Sequence, residues 1–318
     1  MSVLGLDVAK ESFHAALLQG DRIARKAFPN NARGYEQLDA WLRNRDVECV
    51  HACLEATGGW SEALALHLHT GGHTVSIVNP HRIRAFGQSE GLRAKTDAAD
   101  AALIARYCAV HAPEPWTPAR PEVRALQALS RRRGALIEMR TQETNRLSGP
   151  ETNESVRSSV AAHVSYLDAQ IAEIEREIDD TINKDPTLRN QRDLLETIPG
   201  IAHRTATSIT AEMPNLAEFH SGKSVAAHAG LSPIIEQSGT SLARSRLSRT
   251  GNARLRHSLY FPAIVAMKFN PAIRAFAGRL RARQKRPMVV IAAAMRKLLV
   301  LAYGVVKSGR PFDPSLTS

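Results

Sequence analysis

The 318 residues, 43% of them hydrophobic, can bury a substantial core in two or three domains, which excludes a disordered chain. The net charge of +11 and the pI near 10 favour a polyanionic partner, either nucleic acid or an anionic membrane surface. Cys49, Cys53 and Cys108 contain no Cys-x-x-Cys pair, which argues against a disulfide framework or a zinc knuckle, and their apolar neighbours predict that they lie in the core.

The first third of the chain reads as strands that alternate with helices, and we interpret residues 1–118 as an α/β domain. Three short apolar runs joined by tight turns predict an antiparallel meander at its start. Four prolines between 113 and 121 mark its end. The predicted strands are 2–7, 13–18, 22–28, 49–54 and 74–78, and the predicted helices are 31–43 and 60–70.

Four acidic residues fall where this alternation brings side chains together. Asp7 and Glu55 each end a predicted strand, and Asp97 and Asp100 share one face at the start of a helix that Thr96 would cap. Catalytic groups gather at strand ends in α/β sheets, and an all-oxygen ligand set suits Mg²⁺ or Mn²⁺. Four carboxylates can hold two ions roughly 4 Å apart, an arrangement suited to phosphodiester displacement. The alternative is acids that only decorate helix ends.

The middle of the chain, residues 119–188, is predicted to be a coiled-coil linker. After a break at Gly149-Pro150, apolar residues recur in alternating steps of four and three, which is the spacing of a coiled-coil seam. Such a seam either folds back on the preceding helix or recruits a second chain. The seam residues are Val160, Val164, Leu167, Ile171, Ile174 and Ile178.

Residues 189–318 are predicted to form a basic, mostly α-helical domain, with helices at 252–267, 271–283 and 288–307. Between Gln237 and Phe312 there are sixteen Lys or Arg and no Asp or Glu, the charge pattern of a phosphate-binding surface. The last helix is interrupted by Arg296-Lys297, so we expect no membrane span. No signal-peptide pattern opens the sequence, and a cytoplasmic protein is expected.

A helix-hairpin-helix-like motif is predicted at the start of this basic domain. Leu194 to Ile201, followed by Arg204, has the pattern of a turn whose backbone amides bind phosphate without reading bases. Ala202 replaces the usual second glycine of that turn. The alternative is a plain connection between two helices.

Taken in order, a set of short motifs resembles the DEDD-type transposases of the insertion-sequence 110 family, recombinases guided by a bridge RNA. The resemblance covers nearly the whole chain, and the ordered set is more specific than any one member. The motifs are GLDVAK (5–10), EATG (55–58), NP (79–80), KTDAADA (95–101), IPGI (198–201), AGLSP (229–233), SG (238–239) and GNARLR (251–256).

The resemblance implies a RuvC-like, ribonuclease-H-type fold for residues 1–118, in which Asp7, Glu55, Asp97 and Asp100 hold Mg²⁺. It also implies that Ser238 of the C-terminal domain is the catalytic nucleophile, although serines in such loops are ordinary. The expected assembly is a tetramer, a dimer of dimers, held together by the coiled coil. A structured non-coding RNA would pair with donor and target DNA.

The expected chemistry follows from these roles. Attack by Ser238 would cut DNA and leave a covalent phosphoserine, which conserves the bond energy for rejoining. A set of basic side chains near the motifs is expected to contact phosphates. These are Lys95, Arg244, Arg246, Arg249, Arg254 and Arg256.

Two alternatives stay open at this point. One is a metal-dependent Holliday-junction resolvase of the same fold, in which water is the nucleophile and Ser238 is a loop residue. The other is a non-catalytic nucleic-acid scaffold, for which neither Mg²⁺ nor Asp97→Asn would alter any activity.

Overall fold

The computed structural model describes residues 2–56, 58–91, 97–150, 153–236, 244–248 and 250–316. The chain divides into two compact units, Met1–Ala119 and Arg120–Ser318. Unit 1 and unit 2 are described separately below.

Unit 1 is built on a five-stranded mixed sheet, so the α/β prediction for this region is confirmed. The first three strands form the predicted antiparallel meander, and the last two are added in parallel on the other side of β1, in the order β3-β2-β1-β4-β5. The strands are β1 (Ser2–Val8), β2 (Ser12–Gln19), β3 (Arg22–Pro29), β4 (Val50–Glu55) and β5 (Thr74–Val78). The helices are α1 (Ala32–Arg43), α2 (Glu62–Thr70), α3 (Pro80–Ser89) and α4 (Asp97–His111).

Alternation along β1 divides the core of unit 1 into two layers. Leu4, Leu6 and Val8 point to one face of the sheet and pack with buried residues of α1 and α2. Val3 points to the other face, where α4 packs. Side chains at odd-numbered positions of β1 therefore face α4.

Unit 2 is mostly helical. Its long pair α5 and α6 packs as an antiparallel hairpin in which Leu136 meets Leu167 and Ile171, and Arg140 binds Asp168 across it. Three residues of the predicted seam, Leu167, Ile171 and Ile174, thus pack on the preceding helix of the same chain. The helices are α5 (Pro121–Leu147), α6 (Glu154–Lys184), α7 (Pro186–Glu196), α8 (His203–Glu212), α9 (Gly222–His228), α10 (Ala253–Ser258), α11 (Tyr260–Phe269), α12 (Pro271–Ala282) and α13 (Pro287–Ser308), and the strands are β6 (Pro233–Glu236) and β7 (Arg244–Leu247).

Helix α13 is the central helix of unit 2. It alone, among the described helices, is long and apolar enough to cross a membrane, judged over its most apolar window of 18 residues. Half of that window is buried, and Val290, Ala294 and Leu298 lie in the core of the unit. This burial is typical of a core helix, whose apolar face packs against other parts of the protein.

Two expectations about local structure are wrong. The helix predicted at 252–267 is two helices that meet at Leu259. Pro262 has no amide hydrogen and its ring clashes with the carbonyl four residues earlier, at Ser258, so α10 ends there and Pro262 lies in the first turn of α11. Cys49 precedes β4 and is exposed, whereas Cys53 and Cys108 are buried as expected.

Candidate active site

Asp7 and Glu55 lie side by side at the ends of two parallel strands. Asp7 is at an odd position of β1 and so faces α4, and Glu55 is two residues after Cys53, whose side chain packs in the α4 layer. The parallel register pairs Leu6 with Leu54, so its next step places Asp7 beside Glu55. Neighbouring strands are roughly 4.8 Å apart, which leaves the two carboxyl groups close together.

Helix α4 brings Asp97 and Asp100, in its first turn, to the same face of the sheet. The helix lies unusually close to β1, because a Cβ on Gly5 would overlap the backbone of Ala101 and Ala105. His14, opposite Asp7 on β2, reaches Asp97 with 3.9 Å between Nδ1 and Oδ2. The Thr96 cap expected before Asp97 lies outside the described residues.

One cavity of about 490 Å³ is lined by three of the four predicted carboxylates, Asp7, Glu55 and Asp100. Its wall also carries Arg25, Arg84 and Arg106, which sequence reasoning missed. Within the described part of the chain, these arginines make no hydrogen bond or ion pair. Cations placed beside acidic groups in this way attract a phosphate to the carboxylates.

A sequence signal for Arg106 was present. Ala99, Ala102, Leu103 and Arg106 line the cavity together and recur at the i, i+3, i+4, i+7 spacing of one helix face. Arg25 and Arg84 line the cavity only because β3 and α3 are brought together in the fold. The residue pattern within a single strand or helix does not predict that contact.

The donor chemistry of this cavity fits a magnesium-type ion, because every predicted ligand is a carboxylate oxygen. In the described residues, however, no group of three or more His, Cys, Asp and Glu side chains is close enough to hold a metal ion. Asp97 is not among the residues that line the cavity, and its side chain is 71% exposed. The structure therefore brings the right residue types to one cavity without converging them on one point.

Comparison with known proteins decides the family. A family model described as a transposase matches residues 4–149, and one described as the IS116/IS110/IS902 transposase family matches residues 192–278. The pilin gene-inverting protein of Moraxella bovis is 34% identical over 98% of this chain and 97% of its own length. The chain belongs to the IS110 family of transposases. It is accordingly an enzyme that cleaves and rejoins DNA.

A further relative agrees with this assignment. The transposase for insertion sequence element IS1328 of Yersinia enterocolitica is 26% identical over 98% of this transposase and 99% of that protein. Among solved structures, Thermus thermophilus RuvC in complex with a Holliday junction substrate is similar at 14% identity and a TM-score of 0.29, over 36% of this chain and 99% of that one.

Three residues of the predicted site lie outside the described residues of the transposase, namely Ser238, Lys95 and Arg249. The described strands on either side of the Ser238 segment, β6 and β7, pair antiparallel, with Ile234 opposite Arg246. Arg246 is exposed, and of Arg244 only the backbone is described.

Arg254 and Arg256 are held in contacts within unit 2. The guanidinium of Arg254 donates to both carboxylate oxygens of Glu212, at 2.8 and 3.2 Å, and this hydrogen bonding raises the pKa of Arg254. Asn252 donates to the same carboxylate, whose side chain is only 6% exposed. Arg256 donates to the carbonyl of Ala229 at 3.1 Å. These contacts hold the GNARLR segment (251–256) against neighbouring elements of unit 2. The sequence did not predict these contacts.

The turn between α7 and α8 also has acidic neighbours. Gly200 has a φ of +106° and packs against Ala266, and the side chain of Ala202, at the start of α8, makes no capping hydrogen bond. His203, the first residue of α8, lies 2.7 Å from Glu196 and 2.9 Å from Asp179. Because carboxylates already face the start of α8, this end of the helix is poorly suited to bind a phosphate.

Proposed function

We propose that this transposase is an RNA-guided, site-specific recombinase that cuts and rejoins donor and target DNA with the help of Mg²⁺ or Mn²⁺. The observation that carries the proposal is the cavity on which Asp7, Glu55 and Asp100 meet Arg25 and Arg84. Carboxylates and arginines around one concave surface are the groups that phosphodiester chemistry needs.

The four carboxylates have a shared role in this proposal. Asp7, Glu55, Asp97 and Asp100 would hold the divalent ion, and the strand order supports a ribonuclease-H-like assignment of unit 1. When bound, the ion supplies charge stabilisation to the oxygens of the scissile phosphate. The arginines of the cavity wall would bind and orient the phosphate from the opposite side.

The nucleophile that we propose is the hydroxyl of Ser238. Its oxygen would form a bond to phosphorus while the bond from phosphorus to the departing strand breaks, and the departing oxygen takes a proton. The reverse step, with the hydroxyl of a different strand, would release the serine and rejoin DNA. Support comes from the family membership and from the ordered motifs around Ser238-Gly239.

The finer assignments extend the same proposal. Unit 1 would be the metal-binding domain, the α5–α6 hairpin would assemble protomers into a tetramer, and the basic helical part would carry the serine and contact phosphates. The proposed phosphate contacts are Lys95, Arg244, Arg246, Arg249, Arg254 and Arg256. A structured non-coding RNA would select both DNA sites by pairing, in the cytoplasm.

Strand exchange on the native element ends, with the co-purified RNA present, tests this proposal. We expect Ser238→Ala to abolish both strand exchange and the covalent protein–DNA adduct, because no other group would accept the phosphoryl. Asp100→Asn should slow cleavage by about a hundredfold or more, since one carboxylate of the cavity is lost. The matched controls are Ser241→Ala, in the same polar segment, and Asp21→Asn, in the exposed β2–β3 turn.

The outcomes separate the competing functions. Nicking that survives Ser238→Ala but not Asp100→Asn would identify a junction resolvase that uses water. Activity that is indifferent to both variants and to Mg²⁺ would leave a nucleic-acid scaffold. Loss of the adduct in Ser238→Ala, with Ser241→Ala unaffected, supports the recombinase.

A further inference from the structure

A second cavity, of about 580 Å³, lies in unit 2 between the start of α9, α12 and α13. Its charged lining consists of Lys223, Arg296 and Lys297. Its apolar lining consists of Phe276, Ala293 and Val300, and Ser221 and Gly222 complete it. None of these residues belongs to the predicted site.

No acidic side chain among the described residues forms an ion pair with the three cations of this cavity. Within the described residues, Lys223, Arg296 and Lys297 make no hydrogen bond, ion pair or ring contact, although Arg296 and Lys297 are partly buried. Glu218, the acid nearest in sequence to Lys223, is bound by Asn215. Partial burial of a charged side chain costs free energy unless an opposite charge pairs with it. An anion bound in the cavity would supply that charge.

The apolar lining restricts the class of anion. Phe276, Ala293 and Val300 offer carbon surface beside the cations, which a hydrated inorganic ion cannot use. A nucleotide of a nucleic-acid strand presents a phosphate next to a sugar and a flat base, and so matches both halves of the lining. Gly222 shapes this cavity, because a Cβ there would come within 2.9 Å of Val300.

The site does not depend on the end of α9. That helix has only seven residues, and the reciprocal cap at its start engages the backbone amides of Ser221 and Ser224. Phosphate recognition would fall to the side chains of Lys223, Arg296 and Lys297, which approach from two different helices.

We propose that this cavity binds the sugar–phosphate backbone of a nucleic-acid strand, with phosphates at Lys223, Arg296 and Lys297 and one sugar or base against Phe276. The inference rests on the proposed nucleic-acid function of unit 2 but assigns the contact to residues outside the serine segment. DNA and RNA share this chemistry, and the experiment distinguishes them.

The test measures binding of the full-length protein by fluorescence anisotropy over a series of salt concentrations. The probes are a single-stranded DNA, an RNA of the same sequence and the DNA duplex. The double variant Arg296→Gln with Lys297→Gln should bind about tenfold more weakly, and its slope of log affinity against log salt should fall by about 1.4 on single strands, as expected for two lost phosphate contacts. A loss confined to RNA or to DNA identifies the strand that occupies the cavity.

The matched control is Arg283→Gln with Lys285→Gln, which removes the same charge from exposed positions between α12 and α13 outside the cavity. Its slope should change clearly less. Equal changes in the two double variants, or an unchanged slope in the cavity variant, would overturn the proposal.

Phe276→Ala tests the apolar half of the cavity. We expect about tenfold weaker binding of single strands with the salt slope unchanged, because stacking is lost and the charges remain. Wild-type affinity in this variant, with its thermal unfolding unaltered, would refute contact with a sugar or base. The readout of this test is binding and not strand exchange. If the wild-type protein did not recombine DNA, the proposed function would be wrong, but a lower salt slope in the cavity variant would still support this inference.

Discussion

At the scale of single residues, His203 shows how acids and bases join α6, α7 and α8. Burial lowers the pKa of His203, but hydrogen bonds and charges from Glu196 and Asp179 outweigh burial and raise it above the ordinary value of 6.5. Arg192 also lies near these carboxylates, 3.8 Å from each. When it is protonated, this histidine is a cation that helps to hold the start of α8 against α6.

The sign of the raised pKa gives a prediction. Stabilisation by protonated His203 is complete below pH 6.5 and is lost as the pH rises through the higher folded-state pKa. Because the side chain is 49% exposed, we expect a loss of about 0.2–1 kcal/mol in His203→Gln at low pH and a smaller difference from wild type at high pH. Urea unfolding at about pH 5.5 and about pH 8.5 measures it.

The comparison with wild type matters, because other histidines change stability in the opposite direction. Burial lowers the pKa values of His51 and His73, so their contributions to stability grow as the pH rises. The control is His220→Gln, at an exposed histidine without a hydrogen bond or ion pair to any described residue. A His203→Gln effect that is the same at both pH values would contradict the ion-pair account.

At the scale of elements, the contact of β1 with α4 decides whether the predicted carboxylates meet. Gly5 leaves room for the backbone of Ala101 and Ala105, and this close approach packs the helix that carries Asp97 and Asp100 against the strand that carries Asp7. The position of the candidate site thus depends on three small residues, Gly5, Ala101 and Ala105, which allow α4 to pack close to β1.

We expect Gly5→Ala to separate α4 from the sheet, because the new methyl group would overlap backbone that has no rotamer to change. Overpacking of this kind costs about 1–3 kcal/mol, and the melting temperature should fall. DNA cleavage should fall more steeply than the folded fraction, since Asp97 and Asp100 move with α4. Thermal unfolding and cleavage rates of the same preparation measure the two effects.

Gly59→Ala is the control for this substitution, because a Cβ there has no neighbour within 4 Å. It should unfold and cleave like the wild type. A Gly5→Ala protein with the wild-type melting temperature and cleavage rate would show that β1 and α4 do not need this close approach.

The sequence predicts the five strands of unit 1 and the helices α1, α2 and α4, because short apolar runs and the Asn31 cap are local signals, but it does not predict α3 (Pro80–Ser89). The packing of Gly5 is not local. A glycine in a strand can mark a bulge or a close approach, and the choice here depends on alanines almost a hundred residues later. In the same way, the ion pair of Arg254 with Glu212, forty-two residues earlier, is not a local signal, and the phosphate contact of Arg254 stays a prediction.

At the scale of the whole molecule, the positive charge belongs to one unit. Residues 1–119 contain 12 Lys or Arg and 13 Asp or Glu, a net charge of −1, whereas residues 120–318 contain 30 and 18, a net charge of +12. Counterion release makes affinity for nucleic acid a property of the cations that touch phosphate. Affinity should therefore be governed by unit 2 and cleavage by the carboxylates of unit 1.

Asp7→Asn tests this separation. We expect its affinity for DNA to stay within about twofold of wild type, with the same salt slope, because no cation is lost. Cleavage should fall by about a hundredfold or more, because one carboxylate leaves the cavity. Anisotropy over a salt series and cleavage of the same DNA give both quantities, with Asp21→Asn as the variant of equal charge change. A lower salt slope in Asp7→Asn would mean that unit 1 contributes to the phosphate contacts, which would contradict the separation of binding and cleavage between the two units.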